Sequence, residues 1–174
     1  VVSGRREALD ALLAELAPEG VAATRLQVSH AFHSPLMEPM LADFRAAIAG
    51  LPMRAPTIDI ISNLTGRRAG AEIATPDYWV RHVRAAVMFA PGVATLAEAG
   101  IDTFIEAGPH PVLLGLGAAC VDGGRPLRWL PSMRRGRDEW ATLLDSVARL
   151  HVAGATIDWQ AFDAPWPRAH ASLP

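Results

Sequence analysis

The chain has no lysine: all sixteen basic residues among its 174 are arginine. That excludes Schiff-base chemistry on a lysine amine. It matches the residue usage of GC-rich coding more simply than it matches sixteen selected bidentate sites. There is one cysteine, Cys120, so no internal disulfide can form, and this fits a reducing cytoplasmic setting. Cys120 lies in Gly117-Ala118-Ala119-Cys120-Val121 with no base beside it, which reads as a small packed side chain. An excess of one charge sign is missing too. Sixteen basic against eighteen acidic residues leave a net charge of −2, and no basic run exceeds two residues. A nucleic-acid surface is not indicated. No apolar run approaches the ~18–20 residues of a membrane span. Neither Gly-x-Gly-x-x-Gly nor a Walker loop occurs, which removes the usual phosphate cradles. The Gly-x-Ser-x-Gly nucleophile elbow is absent as well, so no complete serine–histidine machine is encoded here. Nor is there an initiator methionine or a signal peptide. Val1-Val2-Ser3-Gly4 reads as a strand already in progress, with the expectation that the chain is cut from something longer.

What is present describes a globular protein. A hydrophobic fraction of 51% in 174 residues is enough for one ordinary domain with a sizeable core. Helical and extended patterns alternate. Arg5 to Ala17 reads as a helix with Leu9, Leu12, Leu13 and Leu16 on one face, and Val21 to Val28 as extended chain. Met37 to Ile48 is a second helix, and Ile58 to Ile61 a short strand ending in the turn Ser62-Asn63-Leu64-Thr65-Gly66. Thr75-Pro76-Asp77 opens a third helix, and Pro91 to Ala99 forms another. Ile101 to Ile105 is a strand, followed by an apolar helix from Val112. Leu127 to Leu130 is extended, Arg137 to Val152 helical, and the Trp- and Pro-rich tail after Trp159 reads as a linker. This alternation argues an α/β fold with a β-α-β unit at its start.

Chemistry concentrates in Val28-Ser29-His30-Ala31-Phe32-His33-Ser34-Pro35-Leu36-Met37-Glu38-Pro39. Ser34 is a good N-cap and Pro35 suits the first helical position. His33 therefore stands just before a helix N-terminus, whose positive dipole end disfavours an imidazolium and keeps the ring able to accept a proton. Position alone serves two readings, a general base or a part-buried histidine in a turn. A metal site is weaker still. His30 and His33 find no third ligand nearby, and Glu38 is expected to point away from them.

These residues carry a resemblance. His30-Ala31-Phe32-His33-Ser34-Pro35-Leu36-Met37-Glu38 resembles the His-Ala-Phe-His motif of acyltransferase domains in modular type I polyketide synthases. Tyr78-Trp79-Val80-Arg81-His82-Val83-Arg84, with Val87 and Phe89, is similar to a second block of that family. Ile105-Glu106-Ala107-Gly108-Pro109-His110-Pro111-Val112-Leu113 is similar to a third, and Leu130-Pro131-Ser132-Met133-Arg134-Arg135-Gly136-Arg137-Asp138 to a fourth. The blocks fall in family order along essentially the whole chain.

The resemblance implies an α/β-hydrolase-like large subdomain interrupted by a ferredoxin-like small one. Residues 1–29 would be the second half of the small subdomain and 30–130 the C-terminal part of the large one. Residues 131–174 would be the closing helix and the post-acyltransferase linker. The nucleophilic serine would lie outside the chain. His33 would be its general acid/base, oriented by a backbone carbonyl at His82. Phe32 would select malonyl over methylmalonyl extender units by filling the space of an α-methyl group, or would simply be a core residue. His30 would shape the same wall, Asn63 would line the pocket or serve its turn, and His110 would be structural. The substrates would be malonyl-CoA and the phosphopantetheine thiol of an acyl carrier protein, with no bound cofactor and no metal. Adjacent ketosynthase and linker domains would be partners, and nucleic acid and membrane would not. The alternatives are a malonyl transacylase of fatty-acid synthesis and a non-catalytic docking module of a megasynthase.

Overall fold

The structure is a computed structural model and describes residues 1–26, 28–121, 124 and 126–167. It divides into two compact units, residues 1–101 and 102–174.

In the first unit, α1 spans Arg6–Leu16 and buries none of its residues. Its leucine stripe, Leu9, Leu12, Leu13 and Leu16, is only half covered. The expected strands on either side of it do not form. Residues 1–2 and 21–26 run without a ladder, because a strand needs a neighbouring backbone and neither segment meets one among the described residues. Gln27 lies outside the described residues.

The helix expected from Met37 to Ile48 splits in two. Pro35–Met40 is a 3-10 helix and α2 follows at Leu41–Ile48. Pro39 explains the split, because it has no N–H to give and crowds the preceding turn. Ser34 caps the 3-10 run, its hydroxyl accepting from the Leu36 N–H at 3.2 Å. The strand expected at Ile58–Ile61 is reduced to one antiparallel bridge between Ile61 and Arg68.

Next come α3, Pro76–Arg84, capped by the Thr75 hydroxyl, and α4, Phe89–Glu98. Between the bridge and α4, the turn at Ser62 to Gly66 is tight. Gly66 has φ +68°, and a Cβ there would stand 2.6 Å from the Pro91 side chain. Thr95 in α4 ties down the same turn by donating to the Gly66 carbonyl at 2.6 Å.

The second unit is a β-α-β arrangement. Strands β1, Thr103–Glu106, and β2, Arg128–Pro131, pair in parallel, with Ile105 opposite Leu130. Helix α5, Leu113–Ala118, lies on the crossover between them. The Glu106 carboxylate accepts from the N–H groups of Val112, Leu113 and Leu114, satisfying donors a helix start leaves unpaired. Leu130, 2% exposed, is the core of this unit. Helix α6, Glu139–Val152, is capped by Asp138 and joined to β2 by the buried Ser146 hydroxyl, which donates to the Pro131 carbonyl.

The tail read as a linker contains a further helix. Helix α7, Trp159–Asp163, brings Trp159 against His151, and Phe162 and Trp166 against Trp140. These edge-to-face ring contacts fold the segment back onto α6 although Trp140, Trp159 and Trp166 stay about half exposed. No helix among the described residues is long and apolar enough to cross a membrane.

Candidate active site

The expected base is held in an unusual way. His33 has φ +63°, the left-handed region that few residues with a side chain occupy. Such a backbone costs on the order of 1–3 kcal/mol and persists only where the surroundings hold it. Here the hold comes from the end of α3. The His33 N–H donates to the Val83 carbonyl at 2.9 Å. Its ring Nδ1 lies 2.8 Å from the Ala85 carbonyl oxygen. A carbonyl can only accept, so Nδ1 carries a proton, and in the neutral ring the lone pair is then on Nε2. The ring is thereby set in the one tautomer that can take a proton at Nε2.

The orienting carbonyl belongs to Ala85 and not to His82, which corrects the sequence expectation. The helix end decides it. His82 sits inside the last turn of α3, whereas Ala85 leaves the helix with φ −77° and ψ 154° and turns its carbonyl away from the axis. His82 meets His33 with its ring instead, at 5.6 Å between centroids and nearly perpendicular. Burial, and secondarily the neighbouring His33, hold the His82 imidazole below the ordinary histidine range. On its other side His82 stacks over Tyr78, whose ring centroid is 6.1 Å away.

The remaining candidates fall into two groups. Phe32 and His30 stay with His33: the Phe32 ring is 6.5 Å from His33 and 6.0 Å from His30. Phe32 is 46% exposed, so within this chain it is not a core residue. The Ser3 hydroxyl donates to its carbonyl at 2.7 Å. Asn63 acts through its backbone. Its side chain is exposed, while its carbonyl accepts from the Met88 N–H at 2.7 Å, just beyond the Ala85 carbonyl. His110 is exposed in the turn before α5, where its carbonyl accepts from the Val112 N–H. Glu38 pairs with Arg84 at 2.8 Å. Among the described residues no three His, Cys, Asp or Glu side chains converge to hold a metal. A groove of about 660 Å³ between β2 and α6, floored by Trp129 and Ala148, contains none of the candidate residues.

Sequence reasoning missed a buried partnership behind this site. The Tyr78 hydroxyl and the Ser62 hydroxyl lie 2.7 Å apart, with Tyr78 5% and Ser62 1% exposed. No spacing rule joins residues in a turn and on a helix. The available signal was that Tyr78 is the single tyrosine of the chain, set on a helix.

Residues 1–157, which include every residue just described around His33, match the acyl transferase domain family. The chain belongs to that family. Over 175 residues it is 42% identical to polyketide synthase GfsA of Streptomyces halstedii, all of this chain matching 2% of that protein. The acyltransferase domain from the second module of the salinomycin polyketide synthase superposes with a TM-score of 0.85 at 40% identity. That match covers 98% of this chain and 40% of the solved one. The malonyl-CoA:acyl carrier protein transacylase of Xanthomonas oryzae gives 0.67 at 31% identity, over 82% of this chain and 44% of that one. These family members share the α/β fold expected from the alternating pattern. The chain thus spans less than half of each of these two solved acyltransferases, and 2% of the synthase.

Proposed function

We propose that this chain supplies the histidine half of an acyltransferase site that moves a malonyl unit from coenzyme A to an acyl carrier protein. One observation carries the reading: His33 donates from Nδ1 to the Ala85 carbonyl and so presents a basic Nε2. A serine outside residues 1–174 attacks the thioester carbonyl while Nε2 takes its proton. His33 then gives that proton to the departing coenzyme A sulfur, leaving the malonyl group as an ester on the serine. In the second half the phosphopantetheine thiol loses its proton to His33 and attacks the ester, and the serine leaves protonated. No bound cofactor or metal enters this scheme.

The likeness to a polyketide synthase domain, at a TM-score of 0.85 and 40% identity, favours that setting over the transacylase of fatty-acid synthesis. The Xanthomonas oryzae enzyme gives 0.67 and 31%, and one from Burkholderia pseudomallei 0.68 and 27%. In that setting residues 1–29 belong to the small ferredoxin-like subdomain and 30–130 to the large one. Residues 131–174 form the closing helix and linker, beside a ketosynthase and linker domains in the cytoplasm. Phe32, on the same side as the base, limits the volume next to the malonyl α-carbon, with His30 as the adjoining wall.

The test is His33→Ala in a complete acyltransferase domain, following radiolabelled malonyl from coenzyme A to the carrier protein. Losing a general acid/base lowers transfer by about 10²–10⁴-fold. Transfer at the parent rate overturns the assignment.

A further inference from the structure

We infer that the ring of His82, backed by the buried Tyr78–Ser62 pair, is a positioning wall for the His33 imidazole. The inference rests on the reading of His33 as the base and adds residues that the reaction itself does not require.

One hydrogen bond does not lock an imidazole. The ring of His33 is only part-buried, and rotation about its Cβ–Cγ bond would trade the Ala85 carbonyl for solvent. What opposes that rotation is the His82 ring, nearly perpendicular to it at 83° and 5.6 Å. A wall resists only if it cannot retreat. Behind His82 lies Tyr78, one helical turn earlier, stacked within 24° of parallel. Tyr78 is itself pinned, because its hydroxyl meets the Ser62 hydroxyl at 2.7 Å where both residues are buried. Trp79 closes the flank of His82 at 5.7 Å, with its indole N–H donating to the Ile73 carbonyl. The line Ser62, Tyr78, His82, His33 therefore runs from the buried turn to the basic nitrogen's own ring.

The chemistry of the wall matters as well as its shape. Burial, and secondarily His33, disfavour a positive charge on His82. It can therefore stand beside His33 without adding a second positive charge as that ring takes up the serine proton. An arginine or lysine at this position would oppose the charge forming on His33.

The experiment uses a complete acyltransferase domain carrying this segment, with His82→Ala, His82→Phe and Tyr78→Phe. Steady-state malonyl transfer gives kcat and KM, and selectively ¹⁵N-labelled histidine reports the His33 tautomer. Loss of a partner that orients a metal-bound histidine costs about 10–100-fold in activity, and an oriented general base should respond on the same scale. That is the expected fall in kcat for His82→Ala, with KM unchanged and His33 showing a mixture of tautomers. The Phe variant restores the wall, and with it most of kcat and the single Nδ1–H form. The Tyr78→Phe domain keeps the ring, loses the pin, and shows a smaller fall with some tautomer mixing.

Parent-like kcat and tautomer in His82→Ala overturn the inference, as do equal losses in the Ala and Phe variants. Should His82→Ala fail to fold, Tyr78→Phe decides: a single tautomer overturns the inference and a mixture supports it. An active His33→Ala domain removes the base assignment itself. An inactive one beside a fully active His82→Ala removes only the wall.

Discussion

The imidazole of His33 donates from Nδ1 to the main-chain oxygen of Ala85 at 2.8 Å, across 52 residues of chain. A neutral carbonyl orients the ring and selects its tautomer without bringing a carboxylate into the site. It also couples the base to the C-terminal end of α3, so whatever fixes that helix end fixes the base. Two backbone bonds do so: His33 N–H to Val83 and Met88 N–H to Asn63. Asn63, expected to line the pocket, thus contributes through its carbonyl.

Phe32→Ser in a complete domain should raise methylmalonyl use relative to malonyl. Opening room for one methyl group is worth ~1–3 kcal/mol, or about 10–200-fold in the ratio. A competition assay with both thioesters reads it directly, and an unchanged ratio rejects Phe32 as a size filter.

Residues 1–174 alone should take no malonyl group from malonyl-CoA, because the general base has no nucleophile to serve. Intact-protein mass spectrometry after incubation checks this. A stable malonyl adduct on the chain means that a nucleophile within it has been overlooked.

The state of His82 gives stability a pH dependence. Its folded imidazole binds a proton less readily than the unfolded one, so unfolding takes up protons at low pH. Its stabilising effect is complete above the unfolded histidine value of about 6.5 and is lost as pH falls below that. Denaturation midpoints of the complete domain should therefore drop between about pH 7.5 and about pH 5.5, and drop less with His82→Phe. Identical drops in both proteins assign the effect to other groups.

Gly66→Ala should destabilise the complete domain by about 1–3 kcal/mol, since φ +68° strains any residue with a Cβ. The added carbon would also meet the Pro91 ring, which cannot rotate away. Chemical denaturation measures the loss. A stability equal to that of the parent means that the turn and α4 separate freely.

Much of this was legible in the residues. Helix starts were clearest, because a cap is a local bond: Ser34 and Thr75 accept from backbone N–H groups two or three residues on, while the last helix begins at Glu139 behind an Asp138 cap and not at Arg137 as expected. The segments that become β1 and β2 were legible as extended chain on either side of an apolar helix, but their parallel pairing was not, since the β-α-β unit was expected at the start of the chain instead. Strand existence was less so. Val21 to Leu26 has the right residues, but a ladder depends on a neighbour that local pattern does not specify. The packing of the tail was not legible, because nothing in its proline and alanine content shows that Phe162 and Trp166 both meet Trp140.

By itself the sequence determined that one histidine of the His30–His33 pair could serve as a base, and that no complete nucleophile machine accompanies it. Residue identity and order suffice for that, because motifs and their absences are written along the chain. Tertiary structure alone decided which carbonyl holds the ring, and which ring stands beside it. Those facts depend on where α3 ends and how its last turn meets a left-handed residue 52 positions earlier. A hydrogen bond acts over ~3 Å, and only folding brings residues so far apart in the chain within that reach.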